Sequence, residues 1–154
     1  MVGVDVGGTK VAAGAVSGAE ARHVVEHPTD LSGPEALLAG IERAVREVVE
    51  RTGRPAAVGV GVPSQVEFAT GRVLASVNIP LAGVPLSEEL ERGLGVPVFI
   101  DNDANCAALA EAQVVDDAPA RHLVMLTLGT GVGGGVDRRG GDASSTARAA
   151  TAGR

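Results

Sequence analysis

The stretch VDVGGTKVAAGAV, residues 4–16, decides how this chain is read. Two apolar runs, 2–6 and 10–16, are split by Gly7, Gly8 and Thr9, the pattern of two strands joined by a glycine turn. A carboxylate, Asp5, stands inside the first run between valines. It reads as a buried acid, and a buried acid beside two glycines is costly unless something binds there. A turn without Cβ atoms exposes its backbone N–H groups, and such concave nests hold phosphate oxygens.

The pattern returns in LTLGTGVGGGV, residues 126–136. An apolar strand carries a polar residue near its end, Thr127, then turns through Gly129, Thr130 and Gly131 into a second apolar run. One glycine turn is commonly no more than a turn. Two copies, each following an apolar strand with a polar end residue, point to an internal duplication of a phosphate-holding hairpin.

Between the copies the period changes. Residues 21–26 (ARHVVE) extend the first hairpin into an antiparallel meander. Ser32-Gly33-Pro34-Glu35 matches a capping box with proline in the first turn. Leu37, Leu38, Ile41, Val45, Val48 and Val49 then recur at helical spacing until Gly53, which predicts a helix over 34–52. AAVGVGV (56–62) ends at Pro63 and reads as a strand of a parallel sheet, buried on both faces. A short helix capped by Ser87 is expected over 87–94, a buried strand at 96–100, an Ala-rich helix at 103–113 and a strand at 122–128. The resulting order is a mixed α/β sheet with helices on its faces. From Asp137 to Arg154 the only apolar residues are alanines, without a period, and this stretch is expected to be disordered.

Asp101-Asn102-Asp103 follows the strand at 96–100 and opens the next helix. Open α/β sheets place ligands outside the carboxyl ends of their strands. Either Asn102 or Asp103 could simply cap the helix. Three adjacent polar side chains exceed what one cap requires, and Asn105 on the next turn can brace them. An Asp here can serve as a general base toward a hydroxyl, with Asn bonding a neighbouring hydroxyl. Joined to two phosphate turns, this arrangement implies phosphoryl transfer to an alcohol, a reaction that needs positioning, charge neutralisation and a base.

Composition excludes several other classes. The chain has 154 residues, enough for a domain with a real core, and 45% of them are hydrophobic. Aromatic residues make up 1%, with no Trp or Tyr, so the core is Val, Leu, Ile and Ala and no stacking platform for single-stranded nucleic acid exists. A net charge of −6 without a basic stripe argues against a polyanion partner, so no nucleic acid is expected. The one cysteine, Cys106, fits a reducing compartment. No apolar run reaches membrane-spanning length and no basic leader precedes Asp5, so a cytoplasmic protein without a membrane partner is expected.

VDVGGTKVAAG, GVGVP, TGRV, VPVFIDNDANCAALAE and LTLGTGVGGG occur in the order found in the ROK sugar kinases, which the chain resembles over residues 1–136. That family belongs to the actin–hexokinase ATPase superfamily, and SVNIPLAGVPL is similar to its glucokinase branch. The resemblance implies a ribonuclease H-like (actin-like ATPase) lobe of βββαβαβα order over 1–119, the opening hairpin of a second lobe over 120–136 and the tail at 137–154. It implies transfer of the ATP γ-phosphate to a hexose hydroxyl, glucose foremost, with Mg²⁺ and with polyphosphate as an alternative donor. Asp5, Gly7, Gly8, Thr9 and Lys10 would form the first phosphate loop, with Asp5 near Mg²⁺. Thr127, Gly129, Thr130 and Gly131 would form the second. Asn102 and Asp103 would contact the sugar, Asp103 taking the hydroxyl proton, and Gly71 and Arg72 would line the sugar site. Members are commonly homo-oligomers.

The family pattern continues after the second loop with a Glu-Gly-His sugar segment, a cysteine cluster for structural zinc and an adenosine lobe. None of these is in this sequence, so zinc is not expected, and the 154 residues alone are expected to be inactive. The alternative reading is a non-catalytic sugar-binding remnant. A ROK-type repressor is disfavoured, because the chain opens on the first strand rather than on a helix-turn-helix.

Overall fold

Alternation along the strands builds the central sheet. Val2, Val4 and Val6 of β1 (Val2–Val6) are buried, while Asp5 between them is exposed. β1 pairs antiparallel with β2 (Lys10–Ser17) and parallel with β4 (Val58–Val62). The register sets Val4 opposite Ala13 and Val60, and Val6 opposite Val11, so one face of the sheet is a continuous apolar layer. β3 (Glu20–Pro28) and β7 (Val98–Asn102) complete a five-stranded mixed sheet of order β3-β2-β1-β4-β7. The protein is known here from a computed structural model, which describes residues 1–18, 20–114, 122–128 and 132–138, with side chains as far as Glu111.

Helix α1 (Pro34–Thr52) forms where the sequence predicts it. Leu37, Ile41, Ala44, Val45 and Val48 are buried along one stripe and join the sheet valines in a single core cluster. Burying each large aliphatic side chain contributes about 1.5–3 kcal/mol. The start of the helix differs from the expected capping box. Gly33 is the N-cap and no side chain caps α1. The Ser32 hydroxyl is already engaged, donating to Asp30 Oδ1 at 2.6 Å, with the Ser32 N–H on the same oxygen at 2.9 Å.

Helix α2 (Leu86–Leu94) likewise forms without the expected Ser87 cap. Ser87 lies inside the helix and its hydroxyl donates to Val98 O at 2.6 Å, tying α2 to the start of β7. The expected strand order omits an antiparallel hairpin, β5 (Ser64–Glu67) and β6 (Arg72–Ser76), between β4 and α2. Only Val66 and Val73 supply apolar pairing there, too little alternation to announce two strands.

The chain divides into two compact units, Met1–Asp101 and Asn102–Arg154. That boundary falls ahead of the one expected at 119/120. The second unit holds α3 (Asp103–Val114) and the antiparallel hairpin of β8 (His122–Leu128) and β9 (Val132–Arg138). Asp137 and Arg138, assigned from sequence to the tail, belong to β9; residues 139–154 lie outside the described residues. Among the described residues no helix is long and apolar enough to cross a membrane.

Candidate functional site

The first unit carries the Gly7-Gly8-Thr9 turn between β1 and β2. The Gly7 N–H donates to Lys10 O at 2.8 Å and closes the turn. A Cβ on Gly7 would stand 3.3 Å from that same Lys10 oxygen, so the turn is tight enough to favour glycine there. Thr29, just past β3, bonds the turn twice: its hydroxyl donates to Gly7 O at 2.7 Å and its N–H to Thr9 O at 3.0 Å. The loop after β6 also approaches, since a Cβ on Gly8 would lie 3.8 Å from Asn78 O. That loop is pinned by a serine relay. Ser64 Oγ donates to Ser76 Oγ at 2.9 Å, and Ser76 Oγ to Ile79 O at 2.7 Å. Sequence reading missed Thr29 and Asn78. The signal for Thr29 was its place directly after Pro28, which pairs with Lys10 at the end of the β2–β3 ladder.

Asp5 is not a buried acid. Strand alternation sends it to the face opposite Val4 and Val6, where its cross-strand neighbours are Ala12 and Gly61. Small neighbours leave the carboxylate open to solvent. Glu26 follows Ala12 in the next register, on the same face. Lys10 Nζ is 2.6 Å from Glu26 Oε1, so the ammonium of the expected phosphate loop rests on β3. The hydrogen bond to Glu26, then the charge of Glu26, hold the Lys10 ammonium above its ordinary pKa of 10.5, with a smaller contribution from Asp5.

Gly71 and Arg72 both make bonds within the first unit. Gly71 is buried at φ 63°, and its carbonyl accepts from Ser87 N–H at 3.3 Å. The Arg72 guanidinium donates to Gly83 O at 2.7 Å across the loop after β6.

The second unit carries Asn102 and Asp103. Asn102 is 8% exposed, and its Oδ1 accepts the N–H groups of Ala104 at 3.0 Å and Asn105 at 3.2 Å. It caps α3, satisfying amides that a helix start leaves open. Asp103 is the first residue of α3 and is exposed; its Oδ1 accepts Ala104 N–H at 2.8 Å. Asn105 is buried. Of the second glycine turn, Thr127 pairs with Gly133 in the β8–β9 ladder, while Gly129, Thr130 and Gly131 lie outside the described residues.

No cluster of three or more His, Cys, Asp or Glu side chains able to hold a metal occurs among the described residues. Mg²⁺ bound to a nucleotide needs less, one or two carboxylates with the remaining positions filled by phosphate and water. Asp5, exposed beside a tight glycine turn, fits that demand.

The ROK family pattern matches residues 1–140. The chain belongs to the ROK family. It is similar to the glucokinase of Streptomyces coelicolor, 39% identical over 139 residues that make up 88% of this chain and 42% of that protein. It is also similar to the N-acetyl-D-glucosamine kinase of Shigella flexneri serotype 5b, 42% identical over 138 residues, 87% of this chain and 45% of that kinase. Among solved structures it resembles a ROK family glucokinase from Streptomyces griseus in complex with glucose and AMPPNP, with a TM-score of 0.80 and 34% identity over 88% of this chain and 43% of that one. This ROK chain thus spans under half the length of these relatives, and its mixed α/β fold is that of the ROK actin-like ATPase kinases.

Proposed function

We propose that this ROK chain supplies the donor-phosphate turn and the sugar-hydroxyl base of a hexose kinase that uses ATP, with glucose as the acceptor. The observation that carries the reading is Asp103, an exposed carboxylate on the first turn of α3, set beside an Asn102 whose carboxamide oxygen is fixed by the helix cap. Asp103 takes the proton of the attacking hydroxyl, and Asn102 orients a neighbouring hydroxyl. The Gly7–Thr9 turn offers backbone N–H groups to the phosphate oxygens and so positions the donor, the larger share of catalysis in this reaction class. Asp5 would hold Mg²⁺, which neutralises charge on the phosphate chain when bound. The 154 residues cover less than half of the kinases they match, so on their own they are expected to give negligible turnover.

The test is a chimera in which residues 1–140 replace the matched segment of the Streptomyces coelicolor glucokinase. Glucose 6-phosphate formation is expected, and Asp103→Asn should lower kcat by about 10²–10⁴, the span of a general base, with KM for glucose little changed. An Asp103→Asn chimera with undiminished kcat would sink the assignment. N-acetyl-D-glucosamine serves as the competing substrate: if it is phosphorylated with the higher kcat/KM, the amino sugar and not glucose is the preferred acceptor.

A further inference from the structure

We infer that Thr29 is a positioning residue that keeps the Gly7–Thr9 turn in its phosphate-accepting form; the inference rests on the phosphate reading of that turn. A nest binds an anion only when its N–H groups face inward and its carbonyl oxygens face away. Of the four carbonyls from Gly7 to Lys10, three are already engaged by donors of the protein. Lys10 O is held by the Gly7 N–H at 2.8 Å. The other two, Gly7 O and Thr9 O, are both held by Thr29, at 2.7 Å through its hydroxyl and at 3.0 Å through its N–H. Among the described residues the N–H groups of Gly8 and Thr9 find no acceptor, and both residues are exposed.

The Gly7–Gly8 peptide is the weak point. With a glycine on each side it can rotate at little steric cost. Rotation would bring the Gly7 oxygen to where the Gly8 N–H now points, replacing a donor with a repelling acceptor. The Thr29 hydroxyl opposes that rotation directly. Its N–H is set by the backbone at the end of the β2–β3 ladder, where Pro28 pairs with Lys10. The side-chain bond can therefore be removed while the main-chain bond stays.

The experiment titrates the 154-residue chain with magnesium tripolyphosphate, which carries a phosphoanhydride chain without adenosine. Amide NMR shifts of Gly8, Thr9 and Lys10 are followed in the wild type, Thr29→Val and Thr29→Ser, with the urea midpoint of each variant measured alongside. The wild type and Thr29→Ser are expected to bind within about twofold of each other, and Thr29→Val about fivefold more weakly, the loss of one neutral hydrogen bond. Wild-type affinity in Thr29→Val would overturn the role of Thr29 and leave the phosphate reading standing. A Thr29→Ser variant as weak as Thr29→Val would also overturn it, since the methyl's packing and not the hydroxyl would then matter. A wild-type titration that leaves the three turn amides unmoved would instead overturn the phosphate reading itself.

Discussion

Gly71→Ala tests how far a turn glycine beside the expected sugar site serves the fold. Gly71 adopts φ 63°, where an L side chain brings its Cβ against the following carbonyl at a cost of about 1–2 kcal/mol. The Cβ would also arrive 2.4 Å from Ser87 Cβ, 3.2 Å from Ser87 Oγ and 3.3 Å from Ile100 Cγ1. Both neighbouring residues are stiff: Ser87 is held by its hydrogen bond to Val98 O at 2.6 Å, and Ile100 belongs to the core. Forcing a methyl into such a site costs about 1–3 kcal/mol more. The sum, about 2–5 kcal/mol, is a large part of the roughly 5–15 kcal/mol that holds a domain folded.

Gly83→Ala separates the two contributions. Gly83 has φ 80° but nothing within 4 Å of its would-be Cβ, so it carries the backbone strain alone. Ser87→Gly deletes the atom that the new methyl at position 71 would strike, and in the double variant part of the penalty should return as a favourable coupling. Urea unfolding followed by far-UV circular dichroism reads all four variants against the parent. With an m-value of about 1–3 kcal/mol/M, Gly71→Ala should lower the midpoint by about 1–3 M, well beyond Gly83→Ala. Equal midpoints for the two alanine variants, or no coupling with Ser87→Gly, would refute the steric argument.

Leu37→Ala empties a fully buried position between α1 and the sheet and should cost about 2–5 kcal/mol by urea unfolding, with the m-value unchanged. Asp30→Ala should destabilise the entry to α1 at neutral pH, because Asp30 Oδ1 accepts both the hydroxyl and the N–H of Ser32. Those bonds, the hydroxyl first, hold the Asp30 pKa below its ordinary 3.8. The stabilisation is therefore whole above 3.8 and is lost as pH falls through the folded value, so the wild-type and Asp30→Ala midpoints should converge in strong acid.

What the sequence showed and what it hid follow from the range of each signal. The α1 stripe runs from Leu37 to Val48 and repeats often enough to outweigh any single residue, so the helix was legible. Its cap rested on one hydroxyl, and a neighbour two positions away, Asp30, took that hydroxyl first. The β1–β2 hairpin was legible because Val2, Val4, Val6 and Val11 alternate inward around a glycine turn. The same alternation exposes Asp5, although valines flank it, because flanking residues in a strand face the other way. What lies across from Asp5, Ala12 and Gly61, is a matter of register and cannot be read locally. Thr29 was hidden for the same reason: its partner Gly7 is 22 residues away, and the bond is made only when β3 closes on β2.

The Asn102–Asp103 pair shows why a capping reading and a catalytic reading need not compete. The Asn102 carboxamide oxygen accepts two amides of α3 and is buried, so its side chain is restrained. That restraint holds the first turn of α3, and hence the place where Asp103 leaves the helix. Asp103 engages one oxygen with Ala104 N–H and remains exposed. A base that must meet a hydroxyl within hydrogen-bond reach benefits from a single anchored oxygen, because the other is then presented at a fixed angle. Replacing Asn102 with Asp would keep the cap, since Asp is an equally good N-cap, while setting a second negative charge beside Asp103. In the chimera this Asn102→Asp change keeps a capping oxygen but puts a carboxylate where Asn102 is 8% exposed, so urea unfolding should show a loss of about 1–3 kcal/mol. The change should also raise KM for glucose, because the carboxamide N–H₂ that can donate to a sugar hydroxyl is replaced by an acceptor-only oxygen. An unchanged KM would mean that Asn102 does not bond a hydroxyl of the sugar.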